Sequence, residues 1–201
     1  MRAVLTRVNS ASVTIDGEVV GKIGKGFLIL LGVGPEDTEK ECRYLAEKAL
    51  GLRVFEDENG KMNLGLDAVN GEVLVVSQFT LYGNVRKGRR PSFAEAADPE
   101  LGNRLYEKFL SICEELGYPP QHGRFGADMQ VESVNDGPVT LILDTVQLME
   151  TPRRGYICKS TTYLWAHTRP TRILSKMMAV ASSLTPATSR RPSPNSCRQR
   201  A

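Results

Sequence analysis

The sequence predicts an α+β domain followed by a tail of different composition. Three observations predict it. Several apolar runs alternate or continue as strands do, two longer stretches carry apolar residues at helical spacing between capping residues, and the charge changes sign near residue 150. The chain has 201 residues and is 41% hydrophobic, enough to build one core of ordinary size. Its net charge of +3 averages two unlike parts. Residues 151–201 hold 10 Lys and Arg and no Asp or Glu, which leaves 16 basic and 23 acidic residues in 1–150, a net of −7. The expected division is a domain over 1–148 and a tail over 149–201.

The domain reads in order as follows. Residues 2–15 and 18–24 form a hairpin with Asp16-Gly17 at the turn. Phe27 to Val33 is a continuous apolar run and so a buried strand. A helix begins near Asp37-Thr38, either of which can cap it, with Cys42, Leu45, Ala46 and Ala49 on its apolar face. Leu52 to Phe55 is a short strand, followed by a turn at Asp57-Glu58-Asn59-Gly60. After a second turn at Asn70-Gly71, Glu72 to Leu81 is the clearest strand of the chain. A second helix has Asp98 as N-cap, Pro99 at its first position and Leu101, Leu105, Phe109, Ile112, Cys113 and Leu116 as its stripe. Gly117 stands where a C-terminal cap belongs, with Pro119 beyond. Two last strands lie near 129–135 and 139–146, giving about eight strands and two long helices.

The tail is rich in Ser, Thr, Pro and Arg and reads as disordered, with one more apolar stretch from Ile173 to Leu184 able to form a short helix. That stretch is too short and polar to span a membrane. A basic tail can bind RNA through phosphates, or it can be a dispensable extension. Cys42 and Cys113 fall on helix faces, Cys158 and Cys197 in the tail, and no C-x-x-C pair occurs, so neither a zinc site nor a redox pair is indicated. The first residues, Met1-Arg2-Ala3-Val4-Leu5-Thr6-Arg7, are a strand pattern and not a signal peptide. The expected compartment is the cytoplasm.

Chemistry is confined to few places. The domain has one His, His122, which argues against a His-rich metal site or a Ser-His-Asp triad and fits a surface residue. Neither G-x-x-x-x-G-K nor G-x-G-x-x-G occurs, so no nucleotide cofactor and no metal are expected. Two short signatures remain. In Ser77-Gln78-Phe79-Thr80-Leu81, alternation puts Leu74, Val76, Gln78 and Thr80 on one face and Val73, Val75, Ser77 and Phe79 on the other. The strand thus turns polar at its end, either as the rim of a pocket or as a strand leaving the core for water. In Asn135-Asp136-Gly137-Pro138-Val139-Thr140, a Gly-Pro pair before a strand marks a turn. Between them, Arg86-Lys87-Gly88-Arg89-Arg90-Pro91 is either a solvated loop or a contact for a phosphate backbone.

Residues 1 to about 148 resemble D-aminoacyl-tRNA deacylase. The resemblance lies in Arg7, Ala11-Ser12-Val13, Gly51-Leu52-Arg53-Val54-Phe55-Glu56-Asp57, Lys61-Met62-Asn63-Leu64 and Ser77-Gln78-Phe79-Thr80-Leu81-Tyr82. It continues through Arg86-Lys87-Gly88, Arg90-Pro91-Ser92-Phe93, Phe125-Gly126-Ala127-Asp128-Met129 and Asn135-x-Gly137-Pro138-Val139-Thr140. It implies antiparallel and mixed sheets forming a barrel-like sandwich with two long helices, and a homodimer with active sites at the subunit interface. Ser77, Gln78, Phe79 and Thr80 would line the pocket, with Thr80, Gln78 and Phe79 as the catalytic candidates. Gly137-Pro138, cis in the family, would enter the neighbouring subunit's pocket, with Arg7 orienting that motif. Phe125 and Met129 would lie near the terminal adenosine of tRNA.

The implied reaction is hydrolysis of the ester in D-aminoacyl-tRNA, and in glycyl-tRNA mischarged on tRNA-Ala, as chiral proofreading in translation. Such an ester is labile, which fits a domain without an evident acid–base pair. Thr80 is either a nucleophile, for which no base lies in sequence reach, or a positioning residue. Two alternatives stand beside this reading: an inactive tRNA-binding module, and a Thr-nucleophile esterase.

Overall fold

A computed structural model of the chain describes residues 1–149. The tail expected from 149 onward lies outside the described residues apart from Met149. The element order is β1 (Arg2–Ile15), β2 (Glu18–Ile23), β3 (Gly26–Gly32), α1 (Glu39–Leu50), β4 (Phe55–Glu56), β5 (Met62–Leu64), β6 (Glu72–Ser77), α2 (Pro99–Glu115), β7 (Gln121–His122), β8 (Gln130–Asp144) and α3 (Thr145–Met149).

The long strand β1 organises the sheet. One edge pairs antiparallel with β3 from Arg2 to Val8 and then with β2 from Ala11 to Ile15, while the other edge pairs antiparallel with β8 over its whole length. The β1–β2 turn is set by Asp16 at φ 52° and Gly17 at φ 84°, the backbone a tight hairpin requires. From β3 the sheet continues in parallel to β6 and then β7. The far strand β2 returns against β7, where Gly21 lies beside the His122 main chain, so the mixed sheet is nearly closed into a barrel.

Both faces of the sheet are covered. Phe27, Ile29, Leu31, Val73 and Val75 pack with Cys42, Leu45, Phe109 and Ile112 of the two helices in the larger core. The intervening residues Leu28, Leu74 and Val76 pack with Val8, Ala11, Val13 and Ile23 inside the curve of the sheet. Strands buried on both faces are expected to be continuously apolar, and β3 is. Both helices start on the expected caps. Thr38 accepts from the Lys40 N–H at 3.2 Å and closes a capping box with Glu41, whose carboxyl the Thr38 hydroxyl holds below its ordinary pKa. Asp98 accepts from the Glu100 and Leu101 N–H groups at 3.0 Å. Among the described residues no helix is long and apolar enough to cross a membrane.

Four expectations are corrected. The short strand is Phe55–Glu56 rather than Leu52–Phe55, because the first helix runs to Leu50 and Leu52 still bonds back to Ala49. Leu116, expected in the stripe of α2, is its C-cap and is exposed. The strand expected over Glu72–Leu81 ends at Ser77, and Phe79–Tyr82 form a 3₁₀ turn. The last two strands are a single strand, β8, that ends at Asp144 and passes directly into α3, so Gly137-Pro138 is not a turn between strands.

Candidate active site

The turn after β6 is where backbone pairing stops and side-chain contacts take over. The Gln78 N–H makes the last bond to β3, on the Leu31 carbonyl at 2.7 Å. Leu81 N–H then bonds back to Gln78 at 3.3 Å and Gly83 N–H to Thr80 at 2.9 Å, closing the 3₁₀ turn. Tertiary contacts fix it. Arg2 donates to the Leu81 carbonyl at 3.2 Å, lies over the Tyr82 ring at 4.5 Å, and is itself paired to Asp144 at 2.9 Å. The Tyr82 hydroxyl donates to Asp37 at 3.3 Å, whose carboxylate also receives the Gly34 N–H at 2.6 Å and the Met1 ammonium. Burial and the neighbouring Asp37 charge push the Tyr82 phenol above its ordinary pKa, so it stays a donor. A Cβ on Gly34 would stand 2.9 Å from the Tyr82 hydroxyl oxygen, so only glycine admits the ring there.

Beside the turn lies an apolar cavity of about 350 Å³. Ser77, Gln78 and Phe79 line one side, Phe93, Ala96 and Ala97 another, and Leu31, Tyr106 and Phe125 line the rest with the start of α2. The Tyr106 hydroxyl donates to the Val75 carbonyl at 3.0 Å, which seats its ring under the strand end, 6.1 Å from the Phe125 ring. Phe79 is 59% exposed and meets Phe93 edge to face at 5.1 Å, so the mouth is aromatic and open. Thr80 is exposed, and its hydroxyl receives a hydrogen bond from the Gln78 amide. No carboxylate or imidazole bonds to that hydroxyl among the described residues. The N–H groups of Phe79 and Thr80, at the open start of the turn, have no acceptor among the described residues.

The second signature is elsewhere. Thr6 pairs with Thr140 and Val8 with Asn135, so Asp136, Gly137, Pro138 and Val139 together face one residue of β1, Arg7. The strand bulges around that side chain. Arg7 is only 3% exposed. Its guanidinium donates to the Asp136 carbonyl at 3.0 Å and to the Val54 carbonyl at 2.5 Å, and is ion-paired with the Asp136 carboxylate at 3.2 Å. Gly137 has φ +111°, and a Cβ there would stand 2.5 Å from an Arg7 Nη. Gly137 and Pro138 are themselves exposed. Among the described residues no peptide bond is cis, so the cis Gly137-Pro138 bond that the resemblance implies is not found in the single chain.

Within one chain the two signatures do not meet. Arg7 pairs with Phe27 and Ser77 with Leu31, four residues apart on β3, or about 13 Å along a strand. Ser77, Gln78, Phe79 and Phe125 are thus brought together, while Thr80 sits on the exposed turn and Arg7, Gly137 and Pro138 form a separate group. Met129 packs against the second core, inside the sheet's curve, and does not line the cavity. The alternation expected for Gln78 and Thr80 does not apply beyond Ser77. Sequence reading gave Arg2 and Tyr106 no role at the site and took Asp37 only as a possible helix cap, whereas Thr38 is the cap and Asp37 holds Tyr82. Tyr106 carried a weak signal, one residue beside the stripe of α2.

Comparisons with known proteins agree with this architecture. The family described as D-Tyr-tRNA(Tyr) deacylase matches residues 4–144. A D-aminoacyl-tRNA deacylase of Desulfatibacillum aliphaticivorans is 62% identical over 145 residues, covering 72% of this chain and 99% of its own. One from Thermosipho africanus is 57% identical over 145 residues, covering 72% and 97%. Among solved structures, the c-Myc DNA unwinding element binding protein matches with a TM-score of 0.68 at 45% identity, covering 72% of this chain and 98% of that one. A probable eukaryotic D-amino acid tRNA deacylase matches with a TM-score of 0.63 at 17% identity, covering 71% and 97%, which shows the fold alone. With its mixed, nearly closed sheet, its aromatic cavity at the end of β6 and this extent of identity, the chain belongs to the D-Tyr-tRNA(Tyr) deacylase family of ester hydrolases.

Proposed function

We propose that the protein hydrolyses the ester of D-aminoacyl-tRNA as a cytoplasmic homodimer, with each site built from two chains. The reading rests on one observation: the aromatic cavity and the exposed Gly137-Pro138 bulge stand apart in one chain, an arrangement in which the bulge of one copy can complete the cavity of another. The exposed apolar residues Val134 and Ile142 on β8, at 57% and 78%, supply surface for such a contact.

In the reaction, water adds to the ester carbonyl carbon, the oxyanion collapses, and the 3′-oxygen of the ribose leaves with a proton, giving the D-amino acid and tRNA. The N–H groups of Phe79 and Thr80 are the candidate donors to that oxyanion. Thr80 is a positioning residue in this reading. Its hydroxyl is held by an amide, which cannot take its proton, and a hydroxyl needs a base to become a nucleophile. Selectivity follows from shape: the carbonyls of Gly137 and Pro138 from the second chain hold the amino group and leave no room for an L side chain. Glycine has no side chain to exclude, so glycyl-tRNA is also cleaved. Removal of D-amino acids from tRNA in this way constitutes chiral proofreading in translation.

The test is hydrolysis of D- and L-tyrosyl-tRNA by the wild type, Thr80→Ala and Pro138→Ala, with the mass in solution measured by light scattering. We expect D-selective cleavage, activity retained in Thr80→Ala to within about tenfold, and weakened discrimination in Pro138→Ala. Equal cleavage of both enantiomers by the wild type, or an acyl group trapped on Thr80, defeats the reading.

A further inference from the structure

The loop that follows the 3₁₀ turn gathers charge that the cavity alone does not account for. Asn84 and Ser92 pair main chain to main chain, at 2.7 and 3.0 Å, and close residues 85–91 into a narrow excursion. The Asn84 side chain braces its base by accepting from the Arg86 N–H at 3.0 Å and donating to Glu95 at 2.7 Å. Gly88 at φ +70° turns the tip. Arg86, Lys87, Arg89 and Arg90 are all exposed, and none has an ion pair among the described residues. These are four of the 16 cations in residues 1–150, gathered in five positions of a region whose net charge is −7. Solubility of an acidic domain does not call for such a cluster, and like charges this close repel unless an anion lies between them.

The loop's place decides which anion. Phe93, the residue after its closing pair, lines the cavity and touches Phe79, so the base of the loop stands at the cavity mouth and its tip lies at most about 14 Å from that base. We propose that this loop is a phosphate clamp for the single-stranded 3′ end of the tRNA whose terminal ester occupies the cavity. The inference rests on the hydrolase reading above and extends it. Three Arg forks and a Lys on a short, braced loop grip a backbone of closely spaced phosphates without reading bases, so the clamp serves every tRNA alike.

The experiment compares the full chain with a variant carrying Arg86→Ala, Lys87→Ala, Arg89→Ala and Arg90→Ala. Two substrates are used, D-tyrosyl-tRNA and D-tyrosyl-adenosine, the second having the ester but no phosphate. Binding of uncharged tRNA over a salt series is read without catalysis. We expect the variant's KM for the tRNA to rise at least tenfold relative to any change on the nucleoside ester. The slope of log affinity against log salt should flatten by up to about 3, for four single-strand phosphate contacts. An unchanged KM and salt slope overturns the clamp, and so does an equal loss on both substrates, which would mean the loop only shapes the turn. A wild type that binds tRNA through the loop but cleaves neither substrate defeats the hydrolase reading and leaves the clamp standing.

Discussion

The turn after β6 and the bulge in β8 carry the two signatures of this chain, and the fold holds them by opposite means. The turn is held redundantly. Arg2 fixes its carbonyl and its Tyr82 ring, Asp37 fixes the hydroxyl, and Gly34 admits the ring. The bulge depends on one buried side chain, Arg7, which reaches Asp136 on β8 and Val54 before β4. A group held by many weak contacts loses little when one goes. A group gathered around a single cation loses all of its contacts at once, because the remaining partners are left partly buried and unpaired.

That difference can be broken by substitution. The largest effect is expected for Arg7→Ala, with a loss of about 2–3 kcal/mol of stability and of D over L selectivity, read as a lower urea midpoint at unchanged slope. Arg7→Lys should not restore it, since a single ammonium cannot serve the Asp136 and Val54 acceptors in the geometry of a fork. Gly137→Ala comes next. Its backbone at φ +111° and the Arg7 nitrogen 2.5 Å from the added carbon predict about 1–3 kcal/mol of strain, seen as a fall in kcat/KM on D-tyrosyl-tRNA of about tenfold or more. In the turn, Tyr82→Phe removes one of several contacts. It should cost about 1 kcal/mol in chemical denaturation and leave kcat/KM within about threefold.

The smallest effect concerns the core behind both regions. Burial pushes the Cys42 and Cys113 thiols up to about 12, with Glu39 adding to the shift at Cys42 and the Cys42 thiol adding to it at Cys113. Both thiols should therefore resist alkylation at pH 8 in the folded protein. A raised native value means stability is fully present below the unfolded thiol value near 9 and declines as pH rises from there toward 12. A double Cys→Ala variant, followed by thermal melts across that window, should show a flatter decline.

Much of the fold was legible because local signals agreed with one another. The Asp16-Gly17 hairpin, the Thr38 and Asp98 caps, Gly117 at φ +88° past the second helix and the burial of Cys42 and Cys113 all follow from spacing and turn chemistry. Pairing between distant strands was not legible. Nothing local distinguishes a Gly-Pro turn from a bulge inside a strand; Arg7, some 130 residues away in sequence, makes it a bulge. In the same way, Phe79-Thr80-Leu81-Tyr82 has a strand's composition, and it leaves the sheet because Arg2 and Asp37 capture Tyr82.

By itself the sequence determined the α+β class, the caps that start the two long helices, the apolar strands and the two signatures that mark the site, since each is written in neighbouring residues within a few turns or strand positions. Tertiary structure alone decided that the strand becomes a turn at Ser77, that Arg7 is the centre of the second signature, and that the two signatures lie apart in one chain. Those are contacts between residues far apart in sequence, where packing and charge burial outweigh local preference.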